Sequence, residues 1–271
     1  MALRQRCPQA RLQAWARRAE AAKDLESRNL ADLATTDAAQ ACEGADLIVL
    51  CTPLENMIPL AEQIARAKPA PNCVITDVGS VKGPVVSALE QIFPKTSFQF
   101  IGSHPMAGSE RAGIEAARAE LFDGSACVVT PTLFTTNHAL QQARWLWALV
   151  GCRIVEMSPD EHDAKVARIS HLAHLTAAVT TLAALRSDIS ASDCAGNGFR
   201  DSTRVASGDP ELWTGIISQN REEVAAALQD ARTALAELLD AVESHDDKAL
   251  LRLLREAKLL RDSALSGGSV S

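Results

Sequence analysis

Up to about Met157 the chain repeats one unit: a short, almost continuous apolar run, a turn, then a stretch with helical periodicity. Residues 12–15, 45–52, 73–77, 100–103, 126–130 and 153–157 are the apolar runs, and 55–67 and 137–150 are the clearest helices between them. The runs lack period-two alternation, which predicts strands buried on both faces, as in a parallel sheet. Strand alternating with helix predicts a doubly wound α/β domain over residues 1–157.

From Ser158 the strand signal stops. Ser158-Pro-Asp-Glu161 places a capping hydroxyl, a first-turn proline and two acids at the positive end of a helix. That helix is predicted to run to about Leu185, a length of about 39 Å. Its second half, HLAHLTAAVTTLAAL, is apolar on nearly every face. Such a helix needs burial all round, which a second subunit supplies. Residues 220–244 and 246–265 predict two further amphipathic helices, so residues 158–271 read as an all-helical dimerisation domain. The SGGSVS tail is expected to lack structure.

Composition narrows the function. A net charge of −7 over 271 residues argues against nucleic acid or an anionic membrane as partner. No apolar run approaches the ~20 residues that span a bilayer, and the start MALRQRCPQAR lacks the apolar stretch of a signal peptide. Seven cysteines, an odd number with no CxxC pair, suit a reducing cytoplasm better than a disulfide framework.

Three strand ends in succession carry polar groups. In an open parallel sheet ligands bind beyond the carboxyl ends of the strands. DLIVLCTPLE, residues 46–55, would therefore put Thr52, Pro53 and Leu54 beside a bound cofactor, although the segment taken alone reads better as a plain strand-to-helix turn. TDVGSVK, residues 76–82, offers the Ser80 hydroxyl and the Lys82 cation, although Asp77 and Ser80 could also be helix caps. In GSHPMAGSE, residues 102–110, His104 directly follows a strand, pinned by Pro105 and flanked by glycines. Its near-neutral pKa lets it take or give a proton while hydride leaves an alcohol. A lone loop histidine is more often structural; one at a third consecutive strand end is the better candidate.

Two later segments add to these. His171 and His174, three apart on the long helix, share a face. A metal needs further ligands, which the segment lacks; facing an active site is the alternative for a polar pair that is costly to bury unpartnered. GNGFRDSTR, residues 196–204, combines Asp201 with Arg204. Arginine grips a carboxylate in two-pronged fashion and Asp201 can orient a guanidinium; a solvated loop with surface ion pairs is the other reading.

Taken in order, DLIVLCTP, TDVGSVK, IGSHPMAGSE, ISHLAH, GFRDSTRVA and DPELW resemble the prephenate/arogenate dehydrogenase family, nicotinamide-dependent oxidoreductases of tyrosine biosynthesis. The resemblance runs from Leu12 to about Leu265. It implies a Rossmann-like cofactor domain followed by a helical domain that forms a homodimer. The implied reaction is oxidative decarboxylation of prephenate or arogenate, with NAD or NADP as hydride acceptor. It further implies that His104 accepts the hydroxyl proton, Ser80 aligns hydroxyl and nicotinamide, and Arg204 pairs with a substrate carboxylate. His174, Asp201, Glu110 and Trp213 shape the pocket, while Thr52, Pro53 and Ser80 lie against the cofactor. Ala173 stands where the family's helix motif carries proline.

No GxGxxG occurs in the 271 residues. A dinucleotide fold opens with strand, GxGxxG and helix, so that the pyrophosphate reaches a helix N-terminus. Residues 1–6 read as the last turns of that helix, which predicts a cofactor domain lacking its first strand and glycine loop, roughly 20 to 25 residues of the opening βα unit. After the strand at 12–15 an NAD enzyme carries an acid, whereas Arg17 and Arg18 stand here. They suit the 2′-phosphate of NADP, or are surface cations near a helix. Two rivals remain: a two-domain dehydrogenase of the 3-hydroxyacid type, with a lysine acid/base on its helical domain, and a non-catalytic dimeric remnant without cofactor.

Overall fold

The computed structural model describes residues 1–93, 98–108 and 113–266. It divides into two compact units, Met1–Arg221 and Glu222–Ser271.

In the first unit the strands are β1 (Gln13–Trp15), β2 (Leu33–Thr35), β3 (Leu47–Leu50), β4 (Cys73–Asp77), β5 (Phe98–Pro105), β6 (Ala126–Thr130) and β7 (Arg153–Glu156). All six expected strands form. The seventh, β2, has three residues and no continuous apolar run to announce it. Strands β3-β4-β5-β6-β7 make one sheet in that order, while β1 and β2 make a separate parallel pair. Among the described residues β1 bonds to β2 alone and β3 to β4 alone, and their facing sides line a single cavity of about 930 Å³. The sheet is thus divided between the first two expected strands.

The helices of this unit are α1 (Ala2–Arg6), α2 (Ala19–Ser27), α3 (Ala38–Ala41), α4 (Leu54–Ile64), α5 (Gly83–Ile92), α6 (Asn137–Leu149), α7 (Pro159–Val166), α8 (Leu172–Leu185), α9 (Asn197–Thr203) and α10 (Pro210–Gln219). Successive strand residues point to opposite faces, and each face has its own core. Ile75 and Phe100 pack with Leu54, Met57, Val85 and Leu89 of α4 and α5. Their neighbours Val74 and Ile101 pack with Ala139, Ala143 and Leu146 of α6 on the other side. Every residue of β4 is buried, as a strand covered on both faces requires.

One pairing departs from the all-parallel expectation. The first half of β5 pairs with β4 in parallel, from Cys73↔Phe98 to Thr76↔Ile101. Its second half pairs antiparallel with β6, from Gly102↔Thr130 to Pro105↔Cys127. A Cβ on Gly102 would come within 2.4 Å of Thr130 Oγ1 and 2.6 Å of Val86 Cγ2, so this crossing takes glycine.

The expected long helix is present as α7 and α8 joined through a π turn at Ala167–His171. The Ser158 hydroxyl caps it, accepting from the Glu161 amide at 3.2 Å. Within one chain α8 is not buried all round: Val179 and Leu182 are about half exposed, at 54% and 47%. The second unit consists of α11 (Arg221–Glu243) and α12 (Asp247–Ser266). Asp246 caps α12 through the amides of Lys248 and Ala249. Leu235, Leu239, Leu254, Leu259 and Leu260 on these helices are exposed.

Candidate active site

His104 does not follow a strand; it lies inside β5, opposite Val128 of β6. The antiparallel partner extends the strand past the end legible in the sequence. Pro105, which has no amide hydrogen to give, then falls at the strand's last position. His104 is buried, and its Nδ1 lies 2.9 Å from Nε2 of His162 on α7. His162 is wholly buried and its Nδ1 lies 2.7 Å from Asp163 Oδ1. The same carboxylate accepts from the backbone amides of Lys82 at 2.7 Å and Gly83 at 2.8 Å, capping α5 from another helix. Burial, followed by the nearby His162, Lys82 and His171, holds the His104 pKa well below its usual range. Its imidazole is therefore a neutral, proton-accepting group through the neutral pH range.

Lys82, expected as a cation facing a ligand, is instead fully buried. It pairs with Asp77 and donates to the Ser103 carbonyl at 2.9 Å. Asp77 is no helix cap: Oδ2 accepts from Gly79 N at 2.8 Å and Oδ1 from Ser103 N at 3.0 Å, tying the end of β4 to β5. The Ser103 hydroxyl donates to the Asp77 carbonyl and takes the Trp147 indole N–H at 3.0 Å. A buried ion pair satisfied this fully rigidifies the floor on which His104 sits. Ser80, between these groups and α5, is half-buried and does not cap the helix, whose N-cap is Lys82.

His174 is buried with its ring stacked on Trp213, centroids 3.7 Å apart and planes 11° apart. His171 meets the same indole edge-on at 6.2 Å. Gly208 is required here: a Cβ would stand 2.6 Å from Trp213 Nε1. Asn220 Nδ2 donates to the Asp163 carbonyl at 2.9 Å and lies 3.3 Å from His171 Nδ1. His171 Nε2 and His174 Nδ1 are buried without a hydrogen-bond partner. Arg204 lies in a 3₁₀ turn, Arg204–Ser207, that packs on α8 beside α9, which carries Asp201; both side chains are exposed. Among the described residues no cluster of His, Cys, Asp and Glu could hold a metal ion.

The histidines carry a stability signature. Burial pushes His171 down from 6.5 to about 4. Below pH 6.5 the unfolded chain binds the proton that the folded one refuses, so stability falls with pH. The loss runs from pH 6.5 to about 4 and amounts to roughly 3 kcal/mol for this group. Urea unfolding midpoints measured across that window should fall, and less steeply in His171→Gln; an unchanged slope would assign the effect to other groups.

The structure therefore brings together His104, His171, His174 and Trp213, with Arg204 and Asp201 on the segment packed against α8. Thr52 and Arg17 line the 930 Å³ cavity, whereas Arg18 and Pro53 are exposed outside it. Glu110 lies outside the described residues. His162, Asp163 and Asn220 carry contacts that the sequence reading did not assign. The available signal was a His-Asp pair in the first turns of a helix following the last strand.

Comparison with known proteins gives consistent matches. The family model described as "Prephenate dehydrogenase, nucleotide-binding domain" matches residues 1–156, and "Prephenate dehydrogenase, dimerization domain" matches residues 158–256. Prephenate dehydrogenase of Bacillus subtilis is 34% identical over 221 residues, covering 80% of this chain but 59% of that protein. Cyclohexadienyl dehydrogenase of Zymomonas mobilis is 33% identical over 86% of this chain and 80% of its own length. Among solved structures, prephenate dehydrogenase from Aquifex aeolicus with hydroxyphenyl propionate and NAD+ superposes with a TM-score of 0.87 at 28% identity, covering 97% of this chain and 92% of that one. Synechocystis arogenate dehydrogenase gives 0.80 at 32% identity, over 97% and 94% of the two chains.

Proposed function

The chain belongs to the prephenate dehydrogenase family, and from that premise we propose that it oxidatively decarboxylates prephenate or arogenate with a nicotinamide dinucleotide. The observation that carries the reading is His104: a buried imidazole with a depressed pKa, held by its Nδ1 where the central strand β5 pairs antiparallel with β6. Its other nitrogen is left to handle a substrate hydroxyl.

Bound, the nicotinamide supplies the hydride acceptor. His104 takes the proton from the ring hydroxyl as hydride leaves the carbon that bears it. The ring carboxylate then departs as carbon dioxide and its bonding electrons pass through the ring to the former hydroxyl oxygen, which recovers the proton. One hydride leaves, one carbon–carbon bond breaks, and aromatisation drives the step. Arg204 takes a substrate carboxylate, His174 and Trp213 form an apolar wall against the ring, and Ser80 steers the hydroxyl. Lysine chemistry of the 3-hydroxyacid type finds less support, since Lys165 of α7 is exposed and bonded to Glu161.

Residues at the ends of β1 and β3 suit the nucleoside parts of a dinucleotide, while the 271 residues contain no GxGxxG loop for its pyrophosphate. The Thr52 hydroxyl at the end of β3 is buried without a partner and lines the cavity with Ala16, Arg17 and Cys51. Arg17 and Arg18 at the end of β1 favour NADP. A homodimer through the helical part would cover the exposed apolar residues of α8, α11 and α12. Seven free cysteines suit a reducing cytoplasm, and among the described residues no helix is long and apolar enough to cross a membrane.

Initial rates with prephenate and arogenate, each with NADP and NAD, test this reading. One of the two substrates should yield one carbon dioxide per reduced cofactor; no reduction with either would overturn it. Arg17→Ala with Arg18→Ala should weaken NADP use by about 1.5–3 kcal/mol, roughly tenfold or more, and leave NAD use intact. Equal losses would make the arginines structural.

A further inference from the structure

We infer that His162 and Asp163 are positioning residues that fix the tautomer of His104, leaving its Nε2 as the basic nitrogen. The inference deepens the reading above and rests on His104 as the proton acceptor. It follows from counting donors along one chain of contacts. Both Asp163 oxygens accept backbone amides, Oδ1 from Lys82 and Oδ2 from Gly83, at the N-terminus of α5. A carboxylate so engaged has no proton to give, so in its 2.7 Å contact with Oδ1 it is His162 Nδ1 that donates.

A neutral imidazole has one N–H, so a proton on His162 Nδ1 leaves Nε2 as a lone pair. That lone pair faces His104 Nδ1 at 2.9 Å, so His104 Nδ1 donates and the His104 lone pair resides on Nε2. No solvent reaches His162 to reverse the order, because it is wholly buried. Asn220 holds the start of the relay, donating to the Asp163 carbonyl at 2.9 Å.

The arrangement serves a proton that arrives and leaves again. When His104 Nε2 takes the hydroxyl proton, its Nδ1–H already points at His162, whose own N–H already points at an anion. The new cation is met by dipoles and charge that need not reorganise, which is where preorganised sites gain most. A packing role for His162 would instead need only its shape.

The test separates these. In the substrate-free full chain at neutral pH, long-range ¹⁵N–¹H NMR should show His104 protonated on Nδ1 and bare on Nε2. A proton on Nε2 overturns the inference, whatever the substrate proves to be, so this measurement fails independently of the proposed reaction. His162→Phe keeps the ring's bulk and removes the acceptor. It should mix the His104 tautomers and lower kcat about 10- to 100-fold, with KM within about twofold. His162→Gln can place a carbonyl oxygen where Nε2 stood and should restore both tautomer and turnover. A folded His162→Gln as impaired as His162→Phe would assign His162 to packing and overturn the relay.

Discussion

His104→Asn should lose about 10²- to 10⁴-fold in turnover with little change in KM, the loss of a group needed chiefly as the hydride departs. Asparagine is the informative replacement. Its amide nitrogen can occupy the place of Nδ1 and keep the bond to His162, while nothing remains at the position of Nε2 to hold a proton. The cost then reports proton transfer rather than collapse of a buried contact. Burial above all, with Lys82 close by, keeps the wild-type imidazole neutral well below pH 6.5. The wild-type rate should accordingly hold as pH falls through 6.5, where an ordinary histidine base would fade. Steady-state kinetics following reduced cofactor checks both statements. Near-normal turnover in His104→Asn would move the proton acceptor elsewhere, with His174 the next candidate.

Arg204→Ala should act on the other parameter, raising KM about 10- to 100-fold while turnover changes less, as expected for the loss of a charged hydrogen bond of about 1.5–3 kcal/mol. Arg204 sits on the 3₁₀ turn after α9, exposed and outside the buried histidine relay. On the proposed reading it meets the anionic ends of a substrate, so its loss should leave proton transfer to His104 largely intact. Arg204→Lys keeps the charge without the planar fork and should fall between wild type and alanine. A KM untouched by Arg204→Ala would mean that other cations hold the carboxylates.

Much of this fold is legible in the sequence for one reason: strands covered on both faces leave continuous apolar runs, and β4, buried at every position, is the clearest. What escapes is pairing at a distance. The sequence stops a strand at Ser103 because nothing local says that β6, more than twenty residues on, returns antiparallel to extend β5 through His104. Lys82 reads as a ligand cation at a strand end; its burial depends on Asp77 and on the Ser103 carbonyl of the next strand. The start of α7 is legible from Ser158, Pro159 and the acids, and that cap accounts for the charges so completely that His162 and Asp163 draw no notice. Their role depends on β5 and α5 lying against the same turn. His104, His174 and Trp213 are legible as candidates because their motifs occur together as a set, whereas Glu110 falls outside the described residues.

The π turn at Ala167–His171 makes the helix intolerant of a change in length. Asp163 and His171 are eight residues apart, and in an unbroken α-helix they would be rotated by about 80°. The wide i→i+5 turn absorbs close to one residue, roughly 100° of rotation, which brings the two back onto one line. Asn220 touches both. An insertion or deletion of a single residue between them would turn His171 and His174 together away from Trp213. Replacing the exposed Ile169 side chain leaves that geometry intact, whereas a change in the length of the stretch does not.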